Sequence, residues 1–191
     1  MDGWIVGIAV VAALALVALG GLAVARHQRS RRLRSQFGPE YDRVIDLRGD
    51  RRAAERTLGE RVQRHEQLHV RPLSRDARGH FADEWRRIQT RFVDEPGGAV
   101  LAADRLVATV MQQRGYPVDD FDEQADLVSV DHPGVVEHYR RGHDLFLRHR
   151  AGDASTEDLR EAMVSYRALF RELLVVEEED ADVQTQTGGR R

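Results

Sequence analysis

Hydrophobic and polar positions follow two regimes along the chain. From Trp4 to Ala25 the sequence is uninterruptedly apolar, WIVGIAVVAALALVALGGLAVA, and as a helix this run extends about 33 Å, enough to cross a bilayer once. Beyond Ala25 apolar residues come singly, three or four apart, the spacing of helices that bury one face and leave the other polar.

That second regime divides at breaks rich in glycine and proline. Gly38 closes the first helix and Pro39 suits the first turn of the next, a short helix reaching about Arg48. Gly49-Asp50 then opens a longer helix to about His69, with Asp50 as N-cap and a thin stripe of Ala54, Leu58, Val62 and Leu68. A stripe so thin predicts an exposed or partner-facing helix. After Arg71-Pro72-Leu73-Ser74, the residues Ala77, Phe81, Trp85, Ile88 and Phe92 mark a core-facing helix, ended by Glu95-Pro96-Gly97-Gly98. Val100, Ala103, Leu106, Val107, Val110 and Met111 make the broadest apolar face, and so predict the central helix. Gly115-Tyr116-Pro117 stops it. A short helix over Val118–Val130 with acids in its first turn follows, then one carrying Val135, Tyr139, His143 and Phe146. Ser155-Thr156-Glu157-Asp158 resembles a capping box with Asp in place of Glu, before a stripe of Leu159, Met163, Tyr166, Phe170 and Leu173.

The expectation is an all-α protein without strands: a transmembrane anchor over residues 1–25, a basic juxtamembrane segment over 26–36, a domain of about six helices over 37–176, and a disordered acidic tail over 177–191. Composition narrows the chemistry. There is no cysteine among the 191 residues, which removes disulfides, thiolate metal sites and cysteine nucleophiles. All 29 basic residues are arginine, so a phosphate-loop lysine and Schiff-base chemistry are absent as well.

Charge bears on topology and partners. Arg26, Arg29, Arg31, Arg32 and Arg34 follow the apolar run, while only Asp2 and the terminal amine precede it. The positive-inside rule then puts the N-terminus outside and the helical domain in the cytoplasm, with these five arginines in reach of anionic lipid headgroups. The alternative is a cleaved secretory signal ending at Ala23-Val24-Ala25, against which stand a start without a positive side chain, the long apolar run and the basic residues that follow it. Gly3-xxx-Gly7 matches a helix-dimer motif at the membrane edge. Residues 36–176 hold 22 arginines against 26 acids, and no basic stripe with interleaved aromatics appears there, so nucleic acid is not an expected partner.

One motif carries catalytic content. His65-Glu66-Gln67-Leu68-His69 matches HExxH, in which two histidines one helical turn apart bind zinc and the glutamate polarises water. Pro72 follows almost at once and no third ligand is in place, so a packed histidine continuing the Leu58/Val62 stripe is the favoured reading. The zinc alternative keeps His65, Glu66 and His69 as ligands and base. Glu66 and His69 also have di-iron spacing, but no second Glu-x-x-His exists. Asp119, Asp120, Asp122, Glu123 and Asp126 lack the glycine and bidentate glutamate of a calcium loop, and read as helix N-terminal acids. His132, His138, His143 and His149 lie on one helix without ligand spacing. No GxSxG or SxxK motif is present, Gly97-Gly98 is not a phosphate loop, and Thr185 and Thr187 in the tail read as inert.

The stretches FGPEYDR (37–43), RPLS (71–74), RFVDEPGGAV (91–100), RGYPVDDF (114–121), SVDHP (129–133) and STEDLREAMVSYRALF (155–170) together resemble a group of uncharacterised single-pass proteins of high-GC Gram-positive bacteria, some labelled as membrane and some as secreted. The resemblance spans most of residues 37–174 and implies a membrane-attached or secreted helical domain. It carries no activity, cofactor or catalytic residue to transfer.

The sequence therefore predicts a non-enzymatic, membrane-tethered interaction module without cofactor, recruiting a protein partner through the helix of residues 50–69 or the acidic segment after Pro117. The alternatives are a zinc-dependent hydrolase and a regulator associated with anionic lipid.

Overall fold

The computed structural model describes residues 3–175, without the side chains of residues 3, 5–13, 15, 16, 18, 23 and 175. The described chain is all-α: α1 (Gly3–Phe37), α2 (Pro39–Arg48), α3 (Arg51–His65), α4 (Arg75–Arg91), α5 (Pro96–Arg114), α6 (Phe121–Asp131), α7 (Val136–Ala151) and α8 (Thr156–Val175). Seven helices follow α1 where about six were expected; the breaks before α4 and α5 hold no glycine, and Gly97 and Gly98, expected to end α4, lie in the first turn of α5 after Pro96. Two compact units divide at Gly59, within α3.

In the first unit α1 passes without interruption through the arginine segment to Phe37. Gly38 turns the chain at φ 48° and Pro39 opens α2, as the spacing anticipated. Gly49 closes α2 in the left-handed conformation, its N–H returning to Ile45. Leu33, Phe37, Tyr41, Val44, Ala54 and Leu58 are all buried. The expectation that α3 presents an exposed stripe is thus overturned: Ala54 and Leu58 have no exposed surface. Its stripe is thin because its buried positions are few and one is small. Most of the apolar run Trp4–Ala25, the Gly3-xxx-Gly7 motif and the tail 177–191 lie outside the described residues or side chains. Among the described residues no helix is long and apolar enough to cross a membrane.

The second unit is built around α5. Ala99, Val100, Ala103, Val107, Val110 and Met111 are fully buried, and α4, α7 and α8 pack against this helix. Trp85 of α4 stacks on Phe170 of α8 with ring centroids 4.7 Å apart. Helices α7 and α8 form the most extensive pair, approaching where Gly142 lies against Ser165 and Tyr166. All five residues expected on the inner stripe of α8 are buried.

Side-chain caps set several helix starts. Ser74 accepts from the Ala77 N–H at 3.2 Å, and Asp120 from the Glu123 N–H at 2.8 Å. At α8 the expected capping box forms reciprocally. The Asp158 carboxylate accepts from the Ser155 N–H at 2.8 Å, and the Asp158 N–H donates to Ser155 Oγ at 3.2 Å.

Helix α3 stops at His65, four residues before the expected His69. The segment beyond is drawn onto the core: Leu73 is buried, Leu68 and Val70 pack against the apolar cluster, and the Arg71 N–H donates to the Arg114 carbonyl at 2.9 Å. Gly115 meets this segment at φ 99°, and a Cβ there would lie 2.5 Å from the His69 carbonyl oxygen. Gly115→Ala is therefore expected to destabilise the fold by at least about 1–2 kcal/mol from backbone conformation alone. Gly134→Ala, facing open space, should change stability by less than about 0.5 kcal/mol in the same chemical-denaturation measurement.

Candidate functional site

The ionisable residues singled out in the sequence fall into four groups. The first is the end of α3. His65 closes that helix, Glu66 and Gln67 form a turn, and His69 lies beyond it, so the two histidines do not occupy successive turns of one helix as HExxH zinc chemistry requires. His65 Nε2 instead lies 2.6 Å from Asp131 Oδ2, which also accepts from the Tyr116 hydroxyl at 2.5 Å. Asp131 at the end of α6 thus ties α3 to the loop after α5. Glu66 and His69 are exposed. Among the described residues no cluster of three or more histidine and carboxylate side chains is placed to hold a metal ion.

The acids after Pro117 are used locally. Asp120 caps α6, Glu123 faces Arg64 at 3.4 Å, and Asp126 receives Arg61 at 2.6 Å and Arg140 at 3.4 Å. Arg61 is buried, so removing Asp126 would strand a charge in the interior. Asp119 and Asp122 remain exposed.

The four histidines after Asp131 do not converge, nor do they share one helix as expected: His132 caps the end of α6, while His138, His143 and His149 lie on α7. His143 stacks on Phe121 with centroids 3.6 Å apart, and its Nδ1 lies 3.6 Å from Asp104, which accepts the Tyr166 hydroxyl at 2.8 Å. His149 lies over Gly97 at the edge of a 740 Å³ surface hollow beside the start of α5. His132 is buried, and its Nδ1 lies 3.7 Å from Glu172, beyond hydrogen-bond length. Burial first, and then the positive charge of Arg114, push His132 below the ordinary histidine value of 6.5, against the opposing pull of Asp131 and Glu172. Arg114 is itself buried and donates to the Leu173 carbonyl at 3.0 Å, satisfying an end of α8.

The fourth group is the arginine segment of α1. Arg34 pairs with Asp42 at 3.4 Å and lies over the Tyr41 ring, while Arg31 and Arg32 are exposed. Arg26 and Arg29 face α3 across a cleft of 560 Å³, whose other wall is Arg51, Arg52 and Arg56. Sequence reading missed these three α3 residues. The signal was the repeated arginines after Asp50, but the two turns that bring them beside α1 are visible only in three dimensions.

At the floor of the cleft, Glu55 Oε1 accepts from Ser30 Oγ at 2.5 Å, the Tyr41 hydroxyl at 2.8 Å and Arg51 Nε at 3.0 Å, while Arg51 Nη2 also donates to Ser30. Burial works to raise Glu55, but these hydrogen bonds outweigh it and hold the carboxyl below its ordinary value. The glutamate is therefore engaged with Arg51. Among the described residues Arg26, Arg29, Arg52 and Arg56 pair with no carboxylate.

No protein-family model matches the chain, and no curated protein or solved structure does so either.

Two measurements follow. Because the fold favours neutral His132, its contribution to stability is complete above pH 6.5 and is lost as pH falls through the depressed folded-state value. Denaturant titrations from pH 7.5 to 5 should show a steeper acid-side loss in the native protein than in His132→Gln; parallel curves would contradict this. Zinc added to the purified full chain and then dialysed should leave no stoichiometric metal by elemental analysis.

Proposed function

We propose that this protein is a non-enzymatic, membrane-tethered helical interaction module with its domain on the cytoplasmic side. The observation that carries the reading is the continuity of α1 from Gly3 through the arginines to Phe37, which joins the apolar run of the sequence to the first compact unit without a flexible break. An anchor built this way holds the first unit at a defined height above the bilayer. Five arginines against one acid at the flanks set the orientation by the positive-inside rule.

The second unit supports a binding rather than a catalytic role through what its polar groups do. Asp131 joins His65 to Tyr116, Asp126 neutralises buried Arg61, Asp104 receives Tyr166, and Arg114 closes α8. Each maintains the packing of one helix on another. With Ala54 and Leu58 of α3 buried, recruitment of a protein partner passes to the start of α6, where Asp119 and Asp122 are exposed.

A reporter pair at the C-terminus, one fluorescent only in the cytoplasm and one active only outside it, tests the tether. Cytoplasmic signal with an intact N-terminus is expected, whereas external signal with loss of residues 1–25 would mean a secreted domain. A photo-crosslinking residue at Asp119 or Asp122 in cells should yield a discrete adduct with one protein; its absence at both positions under several growth conditions would overturn the recruitment role.

A further inference from the structure

The geometry points to the α1/α3 cleft as a binding site for the phosphodiester headgroup of an anionic phospholipid, held by Arg26, Arg29, Arg52 and Arg56 with Ser30 and Arg51 at its floor. The inference deepens the membrane-tethered reading and rests on it for the source of the ligand.

Three observations carry it. The first is charge: five arginines, His27 and one glutamate line the cleft, and the glutamate is engaged by Arg51, Ser30 and Tyr41. Four guanidinium groups are left lining one cleft, their mutual repulsion offset by no carboxylate partner among the described residues. A bound anion removes that cost, and guanidinium groups suit phosphate oxygens because their paired N–H donors match them in spacing.

The second is construction. Ser30 is buried, and Arg51 is fixed by Tyr41, Glu55 and Ser30 together, so the floor is held in place before any ligand arrives. The close approach of Arg29 to Gly59 continues this: a Cβ on Gly59 would lie 2.7 Å from Arg29 Nη2, so the missing side chain leaves room for the guanidinium beside α3.

The third is position. Arg26 directly follows the last residue of the apolar run and Arg29 lies one turn further, so both fall within roughly 6 Å of the apolar edge along α1. That is the depth of lipid phosphates, while α3 supplies arginines from the opposite wall. A free phosphate ion shares the chemistry, but not this placement against exposed Leu22 and Val24, which fit the start of an acyl chain.

The test is calorimetric titration of the full chain in neutral maltoside micelles with water-soluble dihexanoyl phosphatidylglycerol, dihexanoyl phosphatidylcholine and inorganic phosphate. Saturable binding of phosphatidylglycerol is expected, at least about tenfold tighter than either competitor. Arg52→Gln/Arg56→Gln should weaken it by about tenfold or more, since each loses a charge-assisted contact. Arg52→Lys/Arg56→Lys should fall between that variant and the native protein. Arg31→Gln/Arg32→Gln, equal in charge change but outside the cleft, should leave binding within about twofold. Melting curves check that the variants, all at exposed positions, retain the fold. Equal loss in the two Gln variants would mean diffuse surface attraction and overturn the site; phosphate binding as tightly as the lipid would overturn the assignment to a headgroup. Micelles have no inside or outside, so this result stands apart from the reporter experiment, and each reading can fail without the other.

Discussion

Burial of α5 is the constraint on which the second unit depends. Six of its side chains, on a face too broad for one neighbour to cover, have no exposed surface, so α4, α7 and α8 each take a share. Burying a large aliphatic side chain contributes roughly 1.5–3 kcal/mol. The alanines at 99 and 103 contribute less, but let neighbouring helices approach closely. Trp85 and Phe170, stacked across α4 and α8, and Gly142 against Tyr166 are the places where that approach is fixed.

A core assembled from amphipathic stripes has many near-equivalent arrangements, and the polar groups inside this one restrict the choice. Arg114 reaches the last turn of α8 only when the C-termini of α5 and α8 lie side by side. Tyr166 finds Asp104 only in one register of α8 on α5. Breaking such a contact leaves a desolvated donor or acceptor, so misaligned packings are penalised by more than their lost apolar contact. His132 belongs to the same set of buried polar groups but makes no hydrogen bond through either ring nitrogen, and its burial among the surrounding helices disfavours its charged form.

Much of this fold is legible in the sequence, for a physical reason. Apolar spacing reports the buried face of a helix, and the stripes of α4, α5 and α8 are found where Trp85, Val107 and Phe170 indicate. Caps are local, so Ser155 and Asp158 were readable from four consecutive residues. What was not legible depends on contacts between distant segments. The end of α3 at His65 is decided by Leu68 and Leu73 joining the core and by the hydrogen bond from Arg71 to Arg114, none of which the local pattern of residues 50–69 encodes. Burial of Ala54 and Leu58 was hidden for the same reason: a narrow stripe looks alike whether it is exposed or covered. Five arginines beside the apolar run were evident, but the meeting of two of them, Arg26 and Arg29, with Arg52 and Arg56 depends on the turns at Gly38 and Gly49.

The choice of arginine throughout gives the cleft between α1 and α3 a property that its shape alone does not. A guanidinium keeps its proton at every pH a cell experiences, and no acetyltransferase acting on lysine can cancel it. The positive charge of the cleft's five arginines is consequently a permanent feature of the protein, untouched by acidification and by the commonest charge-removing modification. What varies around them is ionic strength, competing polyanions, and the proportion of negatively charged molecules within reach.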